Sequence, residues 1–375
     1  MMKKVLLIAP MGSIHRRFNR ANIEALQKLQ YVIYLMANFE DGEGAESQNS
    51  EFVKWCKSQN IQIESVGFSR GSFKKNIPYI SVVKEYLKYN SFDIVHAHTE
   101  TGGLILSLCH SVKGNTKFIY TPHGLSFYEG GPLIGKLIYK PIERWICSRM
   151  DTNLAMNTEE LRLFSKWGSQ KATFFHGIGI DLNRFKDNSN KKNVIRKEIG
   201  APEDSLLMMS IGELNDNKNH ASVINALSKI SNTDIYYVIC GVGALKDSLK
   251  QLIEAKGLIE RVKLLGYRKD IPDVLYASDL FVFPSKHEGL PVSLMEAMAA
   301  GLPVICSKIR GCVDLVHEGI NGYLFNPNEI EDIKKVIEKI LSERTKWQEY
   351  SINNLRDVIN YSHEVVVEEM MRVYQ

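Results

Sequence analysis

The sequence predicts an α/β protein of two domains, each built on a parallel β-sheet covered by helices. Three observations predict this fold class. The chain of 375 residues is too long for one ordinary hydrophobic core. Short runs rich in β-branched and aromatic residues alternate with longer amphipathic stretches, the pattern of strand–helix–strand units. The polar stretch DNSNKKN, residues 187–193, interrupts this alternation as a linker would. We therefore expect domains at residues 1–185 and 186–375.

The predicted strands follow one another at regular intervals. In the first half they are KVLLIA, YVIYLM, IQIESV, FDIVHA, KFIYT, TNLAM and ATFFH. In the second half they are LLMMSI, IYYVIC, VKLLG, LFVFPS and PVICS. Ligands of such sheets bind beyond the carboxyl ends of the strands, so functional residues are expected in the turns that follow them. Two facing domains of this kind would share a cleft lined by those turns.

Composition excludes several classes of protein. The chain is 44% hydrophobic and 24% charged, as globular proteins in water are. It has no apolar run of about 18 residues, so no transmembrane helix is expected. The apolar part of MMKKVLLIAP is too short for a signal peptide and better fits a first buried strand. The six cysteines form no CxxC pair, and we expect reduced thiols in a cytoplasmic protein.

Charge is distributed unevenly between the halves. Residues 1–185 contain 23 Lys/Arg and 16 Asp/Glu, whereas residues 186–375 contain 24 and 27. A basic first half suggests that it meets something anionic. Because the sequence has no dense Arg/Lys stripe and no known nucleic-acid module, nucleic acid is not an expected partner.

The segment EGLPVSLME, residues 288–296, carries one acidic residue at each end of a predicted helix start. Pro291 suits the first helical position, where a missing N–H has no cost. Gly301 followed by Pro303 is a stop signal. We therefore expect a helix from about Pro291 to Ala300.

The backbone amides at this helix start favour a phosphate group. They belong to Gly289, Leu290 and the residues from Val292 onward. A carboxylate beside a phosphate is repulsive, so Glu288 and Glu296 are expected to accept hydrogen bonds from sugar hydroxyls. The alternative is that Glu296 is a solvated helix residue and Glu288 only favours the helix dipole.

Several segments carry a resemblance to one family. PSKHEGLPVSLMEAMAAGLPVICS resembles the E-x7-E signature of family-4 glycosyltransferases, retaining enzymes of the GT-B fold. TPHGLSFYEGGP, HGIGIDLNRF and SIGELNDNKNH are similar to other segments of that family and occur in the expected order. The resemblance covers nearly the whole chain and looks closest to the branch that builds bacterial capsular, exopolysaccharide and lipid-linked oligosaccharides. It implies two facing Rossmann-like domains with an interdomain cleft: an acceptor-binding first domain, on which the last helix can pack, and a donor-binding second domain.

The resemblance also implies roles for residues of the second half. Glu288 would contact hydroxyls of the donor sugar, and Glu296 the ribose of the nucleotide. In GELNDNKNH, Gly212 and Lys218 follow a predicted strand, where a lysine supplies charge to a diphosphate. The family often has Arg directly after this glycine, and Glu213 stands there instead. The alternative for Lys218 is a solvated surface lysine.

Two further segments have weaker signals. In GYRKD, residues 266–270, the resemblance places Tyr267 and Arg268 near the base of the nucleotide. The glycines of CGVG, residues 240–243, lack the third glycine of the dinucleotide fingerprint and are expected to form a turn near the site.

Candidate residues of the first half also follow predicted strands. His123 lies just beyond KFIYT, where an imidazole can donate to a sugar hydroxyl or stabilise developing charge. A lone histidine is more often structural, and its position and the resemblance favour function. Gly12 lies in the first strand-to-helix turn, where the backbone can approach the donor closely. His96 and His98 share a strand face, but no third metal ligand has suitable spacing. The resemblance implies metal-independent transfer, so neither a metal nor a cofactor is expected.

The expected activity is transfer of a hexosyl or N-acetylhexosaminyl unit, with retention, from a nucleotide sugar to a glycan hydroxyl. The branch implies UDP, although the residues do not exclude GDP. His123, Lys218 and Glu288 are the expected catalytic residues, with stabilisation of the leaving diphosphate as the main effect. No carboxylate nucleophile is evident, so front-face transfer is expected. Two alternatives are an epimerase or hydrolase of the same fold and a scaffold that binds without turnover, which Glu213 alone supports.

A segment of the first half mixes apolar and basic residues near helical spacing. It is GGPLIGKLIYKPIERWICSRM, residues 130–150, with the basic residues Lys136, Lys140, Arg144 and Arg149, and Pro141 permits a break. We expect it to bind anionic lipid on the inner membrane face and to hold a polyprenyl-diphosphate-linked acceptor near His123. The alternative is a core-packing helix with a basic solvent face.

Overall fold

The structure is a computed structural model of the chain, and it describes residues 2–40, 46–69, 73–128, 131, 133–168, 171–185 and 191–375. Contacts divide the chain into two compact units. Unit 1 comprises Met1–Gly179 and His363–Gln375, and unit 2 comprises Ile180–Ser362. The chain therefore passes from unit 1 to unit 2 between residues 179 and 180, six residues before the boundary expected from the sequence. Most of the expected linker, residues 187–190, lies outside the described residues.

Unit 1 is built on a sheet of seven parallel strands in the order β3-β2-β1-β4-β5-β6-β7. The strands are β1 (Lys4–Met11), β2 (Val32–Asn38), β3 (Gln62–Ser65), β4 (Ile94–His98), β5 (Lys117–Thr121), β6 (Thr152–Ala155) and β7 (Ala172–Phe174). Positions 5–9 of β1 are completely buried, because a central parallel strand is covered on both faces.

Helices connect these strands. They are α1 (Gly12–Phe18), α2 (Arg20–Lys28), α3 (Glu46–Ser58), α4 (Phe73–Tyr89), α5 (Thr99–Leu108), α6 (Lys140–Ser148) and α7 (Thr158–Lys166). One wider π-helical turn, Gly135–Tyr139, leads directly into α6.

The C-terminal helix (His363–Tyr374) is part of unit 1. The Tyr31 hydroxyl donates to the backbone oxygen of Tyr374 at 2.8 Å, and Lys117 Nζ donates to that of Val373 at 2.7 Å. Residues 363–375 fall within the range expected for the second domain, and they pack on the first sheet, as the resemblance allowed for the last helix.

Unit 2 is built on six parallel strands in the order β10-β9-β8-β11-β12-β13. The strands are β8 (Leu206–Ile211), β9 (Ile235–Cys240), β10 (Val262–Gly266), β11 (Leu280–Phe283), β12 (Val304–Ser307) and β13 (Gly322–Phe325). The helices are α8 (Lys192–Ile199), α9 (His220–Leu227), α10 (Lys246–Ala255), α11 (Ile271–Ala277), α12 (Val292–Ala299), α13 (Ile330–Ser342) and α14 (Trp347–Asp357). Two apolar clusters contribute to its core.

The predicted fold class is confirmed: every strand expected from the sequence is present, and both sheets are parallel. Strand β13 was not predicted. All six cysteines are buried free thiols. No helix within the described ranges has both the length and the apolar character to cross a bilayer.

Candidate active site

The turns that follow β8, β9, β11 and β12 lie along one edge of the unit 2 sheet. These four strands are adjacent and parallel, so their carboxyl ends meet there. The turns carry most of the residues that the sequence analysis selected in the second half. Val292 and Glu296 lie in the helix that follows β11, and Tyr267 and Arg268 follow the edge strand β10.

Two of the selected residues form an ion pair. Lys218 Nζ lies 2.5 Å from Glu288 Oε1, and both side chains are largely buried, with 22% and 14% of their surface exposed. The ammonium group also lies 5.1 Å from the centre of the Phe283 ring, a favourable cation–π distance. Lys218 is therefore not a solvated surface lysine. Glu213, in contrast, is exposed and forms no ion pair with any residue that the structure describes.

The two loops that carry this ion pair are joined by their backbones. Asn217 Nδ2 donates to the backbone oxygen of His287 at 2.9 Å, and the Lys286 amide donates to that of Asn217 at 2.8 Å. Asn219, with a left-handed φ of 54°, donates to the backbone oxygen of Pro284 at 3.2 Å. Because both loops are tied at several points, the position of Lys218 relative to Glu288 is set by the fold.

Glycine is required where the turns after β8 and β9 meet. A Cβ on Gly241 would overlap the backbone oxygen of Gly212. A Cβ on Gly212 would lie 3.1 Å from Cγ and Cδ of Lys218. CGVG is thus a turn packed against the expected diphosphate loop, as the sequence analysis proposed for it.

Helix α12 begins one residue later than expected. Pro291 immediately precedes the helix with an extended backbone (φ −80°, ψ 101°), and no side chain in the described part of the protein caps this end. Gly289, Leu290 and Val292 therefore lie at the helix start as predicted. The helix ends at Ala299, and Gly301 has the left-handed φ of 73° expected of a stop signal.

Glu296 is in the second turn of α12 and is only partly exposed. Desolvation raises the pKa of its carboxyl group, an effect that the charge of Arg184 partly offsets. Among residues that the structure describes, none forms a hydrogen bond or ion pair with this carboxylate. Glu296 is therefore not a freely solvated helix residue.

Arg310, which the sequence analysis missed, supports the same loop. Its side chain is 5% exposed, Nη2 lies 2.7 Å from Nε2 of His287, and Nε donates to the backbone oxygen of Glu288 at 3.4 Å. A guanidinium group can only donate, so His287 accepts with Nε2. The signal was available, because Arg310 follows the predicted strand PVICS at the same sheet edge.

Tyr267 and Arg268 are placed differently from the other candidates. Tyr267 is 70% exposed. Arg268 pairs with Asp270 and with Glu198 at 2.5 Å each, and these carboxylates raise its pKa. Its charge is thus already balanced by two acidic side chains.

In unit 1, His123 directly follows Pro122 at the end of β5 with a left-handed φ of 61°. Its Nε2 lies 3.0 Å from Nδ1 of His98, and its ring is 5.4 Å from that of Phe18. Gly12 is the first residue of α1, and a Cβ there would lie 2.5 Å from the Phe39 ring. A side chain at this position would therefore force the Phe39 ring to shift, so packing alone favours glycine here.

The basic apolar segment, residues 130–150, is helical from position 133 to position 148. Its anchors are Ile146, which is fully buried, and Glu143, which accepts a hydrogen bond from the Tyr120 hydroxyl at 3.1 Å. Burial raises the pKa of the Glu143 carboxyl well above its usual range.

Most apolar side chains of the basic apolar segment are exposed: Leu133, Ile134, Leu137, Ile138, Tyr139 and Ile142. All four basic candidates are also exposed: Lys136, Lys140, Arg144 and Arg149. Residues 130 and 132 lie outside the described residues.

Comparison with known proteins shows the family. The model "Glycosyltransferase Family 4" matches residues 17–184, and "Glycosyl transferases group 1" matches residues 191–358. Two Escherichia coli proteins are similar in sequence. One, UDP-Gal:alpha-D-GlcNAc-diphosphoundecaprenol alpha-1,3-galactosyltransferase, is 29% identical over 73% of this chain and 72% of its own. The other, O-antigen biosynthesis glycosyltransferase WclY, is 29% identical over 78% of this chain and 81% of its own.

The fold is likewise that of known glycosyltransferases. HepE from Anabaena, solved in complex with UDP, matches 100% of this chain and 99% of its own with a TM-score of 0.80 and 19% identity. The matched families and the two parallel sheets agree with the resemblance found in the sequence. Together the two models span most of the chain, which is therefore a glycosyltransferase with a family-4 domain followed by a group-1 domain, and it has the GT-B fold.

Proposed function

We propose that this glycosyltransferase moves a sugar, with retention, from a UDP-sugar to a hydroxyl of a lipid-linked glycan in bacterial polysaccharide biosynthesis. The observation that carries the proposal is the Lys218–Glu288 ion pair at the start of α12. A cation, a carboxylate and the amides of a helix start are together what a sugar diphosphate requires. The UDP complex of HepE and the donor and acceptor in the name of the first Escherichia coli relative support the same ligands.

Donor binding would exchange partners within the ion pair. The ammonium group of Lys218 leaves Glu288 and pairs with the diphosphate. The carboxylate of Glu288 then accepts hydrogen bonds from hydroxyls of the donor sugar. The amides of Val292 and the next residue begin α12 and would donate to the leaving phosphate. Charge that develops on the diphosphate is thus stabilised by groups already in place.

The transfer would then proceed on one face of the sugar. The bond from C1 to the diphosphate oxygen breaks, and the acceptor oxygen forms a bond to C1 on the same face. The acceptor proton passes to the leaving diphosphate oxygen. This sequence needs no metal and no carboxylate nucleophile, and Glu296 holds the ribose of the nucleotide.

The test is UDP release from UDP-sugars with and without a synthetic polyprenyl-diphosphate-linked sugar. Transfer predicts UDP release that depends on the acceptor and a product with the donor's anomeric configuration. Epimerised or hydrolysed donor without acceptor would favour the epimerase or hydrolase instead. Binding of UDP without turnover across a broad panel would favour a scaffold.

We further propose that the basic apolar segment binds an anionic bilayer. Most of its apolar side chains are exposed, with Leu133 and Leu137 each 73% exposed, and its basic side chains lie on or directly after the same helix. The alternative of a core-packing helix does not explain these exposed side chains. Each basic residue near an anionic surface contributes on the order of 1 kcal/mol.

Co-sedimentation with anionic and neutral vesicles at low and high salt tests this contact. Replacing Lys136, Lys140, Arg144 and Arg149 with Gln should abolish binding to anionic vesicles. A matched variant changes four exposed lysines of unit 2 to Gln and should bind like wild type: Lys197, Lys246, Lys250 and Lys256. Equal binding by both variants would show that the segment is not the membrane contact.

A further inference from the structure

Three imidazoles lie together at the carboxyl edge of the unit 1 sheet. His96 and His98 are on β4, and His123 follows the neighbouring strand β5. The rings of His96 and His98 are 4.0 Å apart, and both residues are completely buried. The proposed function uses only His123, which leaves the other two without an assigned role.

His96 is fully hydrogen bonded. Its Nδ1 lies 2.8 Å from the hydroxyl of Tyr374, and its Nε2 lies 2.8 Å from the hydroxyl of Thr121. Both ring nitrogens are therefore engaged by side chains of unit 1. His96 fixes the C-terminal helix to the sheet.

His98 has one engaged nitrogen. Its Nδ1 lies 3.0 Å from Nε2 of His123, whereas its buried Nε2 meets no donor or acceptor among the residues that the structure describes. Burial lowers the pKa of His98 well below its ordinary value and that of His123 to about 4. Near neutral pH each ring is therefore uncharged and carries a single proton.

Two arrangements of these protons satisfy the contact. If His123 donates from Nε2, the proton of His98 is on its own Nε2, as a buried N–H without an acceptor. If His98 donates from Nδ1, its Nε2 is an acceptor to which no described residue donates. Folded proteins bury unpaired N–H groups more rarely than unfilled acceptors, so the second arrangement is favoured.

We propose that His98 is a positioning residue that donates from Nδ1 to His123 and thereby fixes the proton of His123 on Nδ1. The nitrogen that His123 directs away from His98 is then an uncharged N–H donor. It can donate to a sugar hydroxyl or to developing negative charge, but it cannot accept the proton of an incoming hydroxyl. The catalytic part of this inference rests on the proposed function.

The direct test is the tautomeric state of both rings in the free full-length protein. Long-range proton–nitrogen correlation spectra of histidine-labelled protein near pH 7.5 distinguish Nδ1–H from Nε2–H, and a His123→Gln spectrum assigns the His123 signals. We expect Nδ1–H for both residues. A proton on Nε2 of His123 would overturn the assignment, whatever the activity of the enzyme.

Two variants test the consequence for turnover. His98→Asn keeps an N–H donor near the Nδ1 position, whereas His98→Leu removes it. We expect His98→Leu to lower kcat about tenfold, the factor that one lost hydrogen bond typically gives, with unchanged UDP affinity. His98→Asn should keep most of the wild-type kcat and should also keep the Nδ1–H signal of His123.

His110→Leu is the matched control, because His110 belongs to the same unit but packs against Phe118. It should leave kcat and the His123 signals unchanged. Equal kcat losses in His98→Asn and His98→Leu would show a merely structural role. The expected tautomers without any transfer activity would contradict the proposed function and leave the proton assignment standing.

Discussion

Lys218 and Glu288, 70 positions apart in sequence, meet as an ion pair of 2.5 Å between the turns after β8 and β11. The pair keeps the cation and the carboxylate aligned and largely out of water. In the proposed reaction each partner releases the other when the sugar diphosphate binds. The free energy needed to break the ion pair is small, because the diphosphate that replaces the carboxylate beside Lys218 carries more negative charge.

Glu288→Gln should separate turnover from nucleotide binding. Gln keeps the shape but not the charge that accepts from the sugar hydroxyls, and a hydrogen bond to a charged group is worth about 1.5–3 kcal/mol. We expect kcat to fall roughly ten- to hundredfold while UDP affinity is unchanged or higher, because Lys218 is released. Steady-state kinetics and calorimetric UDP titration measure the two effects. Equal losses in kcat and in UDP affinity would show that Glu288 contacts the nucleotide and not the sugar.

Arg310→Met should destabilise the loop that carries Glu288. The substitution removes the hydrogen bonds to His287 and to the Glu288 backbone, and an unsatisfied buried group costs about 1–3 kcal/mol. We expect a lower melting temperature in calorimetry and weaker UDP binding. Arg261→Met, which removes one exposed hydrogen bond to the Asn232 backbone, is the control. Wild-type UDP affinity in a folded Arg310→Met protein would contradict the supporting role.

Gly241→Ala should disturb the site through backbone contact alone. The added Cβ overlaps the Gly212 oxygen, so the turn that leads to Lys218 has to move. We expect UDP binding to weaken clearly. Gly257→Ala meets open space and only the strain of its φ of 67°, which costs about 1 kcal/mol, so its UDP affinity should equal that of wild type. If both variants bind UDP like wild type, the close approach of the two turns is irrelevant to the site.

Acid should destabilise unit 1 through its buried histidines. Burial lowers the pKa of His15 and His123 to about 4, whereas an unfolded histidine titrates near 6.5. The unfolded chain therefore binds protons that the folded unit does not, and stability is lost as the pH falls from about 6.5 toward 4. The loss is on the order of 3 kcal/mol per histidine.

Calorimetry between pH 7.5 and 4.5 measures this loss. His15→Gln is the informative variant, because Gln can still donate to the Met36 backbone as His15 Nε2 does. Its melting temperature should fall less steeply with acid than that of wild type. Identical slopes would show that His15 does not contribute to the acid dependence.

The strands were predictable because their signal is local. Buried parallel strands such as β8 and β9 consist of continuous apolar runs, and their carboxyl ends fall where the sequence placed them. Strand β13 was missed because it starts with Gly322 directly after Asn321, a dipeptide that favours a turn. A Cβ on Gly322 would overlap the Val304 backbone oxygen, so tertiary contact determines its glycine.

The partners within the site were not predictable. Lys218 and Glu288 were each selected by position, but nothing local indicates that they pair. Helical spacing in the basic apolar segment places Leu137 and Ile146 on opposite faces, but it did not show that the face of Ile146 is buried and that of Leu137 exposed. These relationships depend on contacts between distant parts of the chain.

UDP affinity of Lys218→Met is the most direct test of the central claim that the Lys218–Glu288 pair marks the donor diphosphate site. Met keeps most of the apolar stem beside Phe283 but removes the charge that a diphosphate requires. Calorimetric titration should show UDP binding about ten- to hundredfold weaker than in wild type, as expected for one charge-assisted contact. Lys246→Met, an exposed lysine of the same unit, should bind like wild type. Wild-type UDP affinity in folded Lys218→Met would contradict the claim.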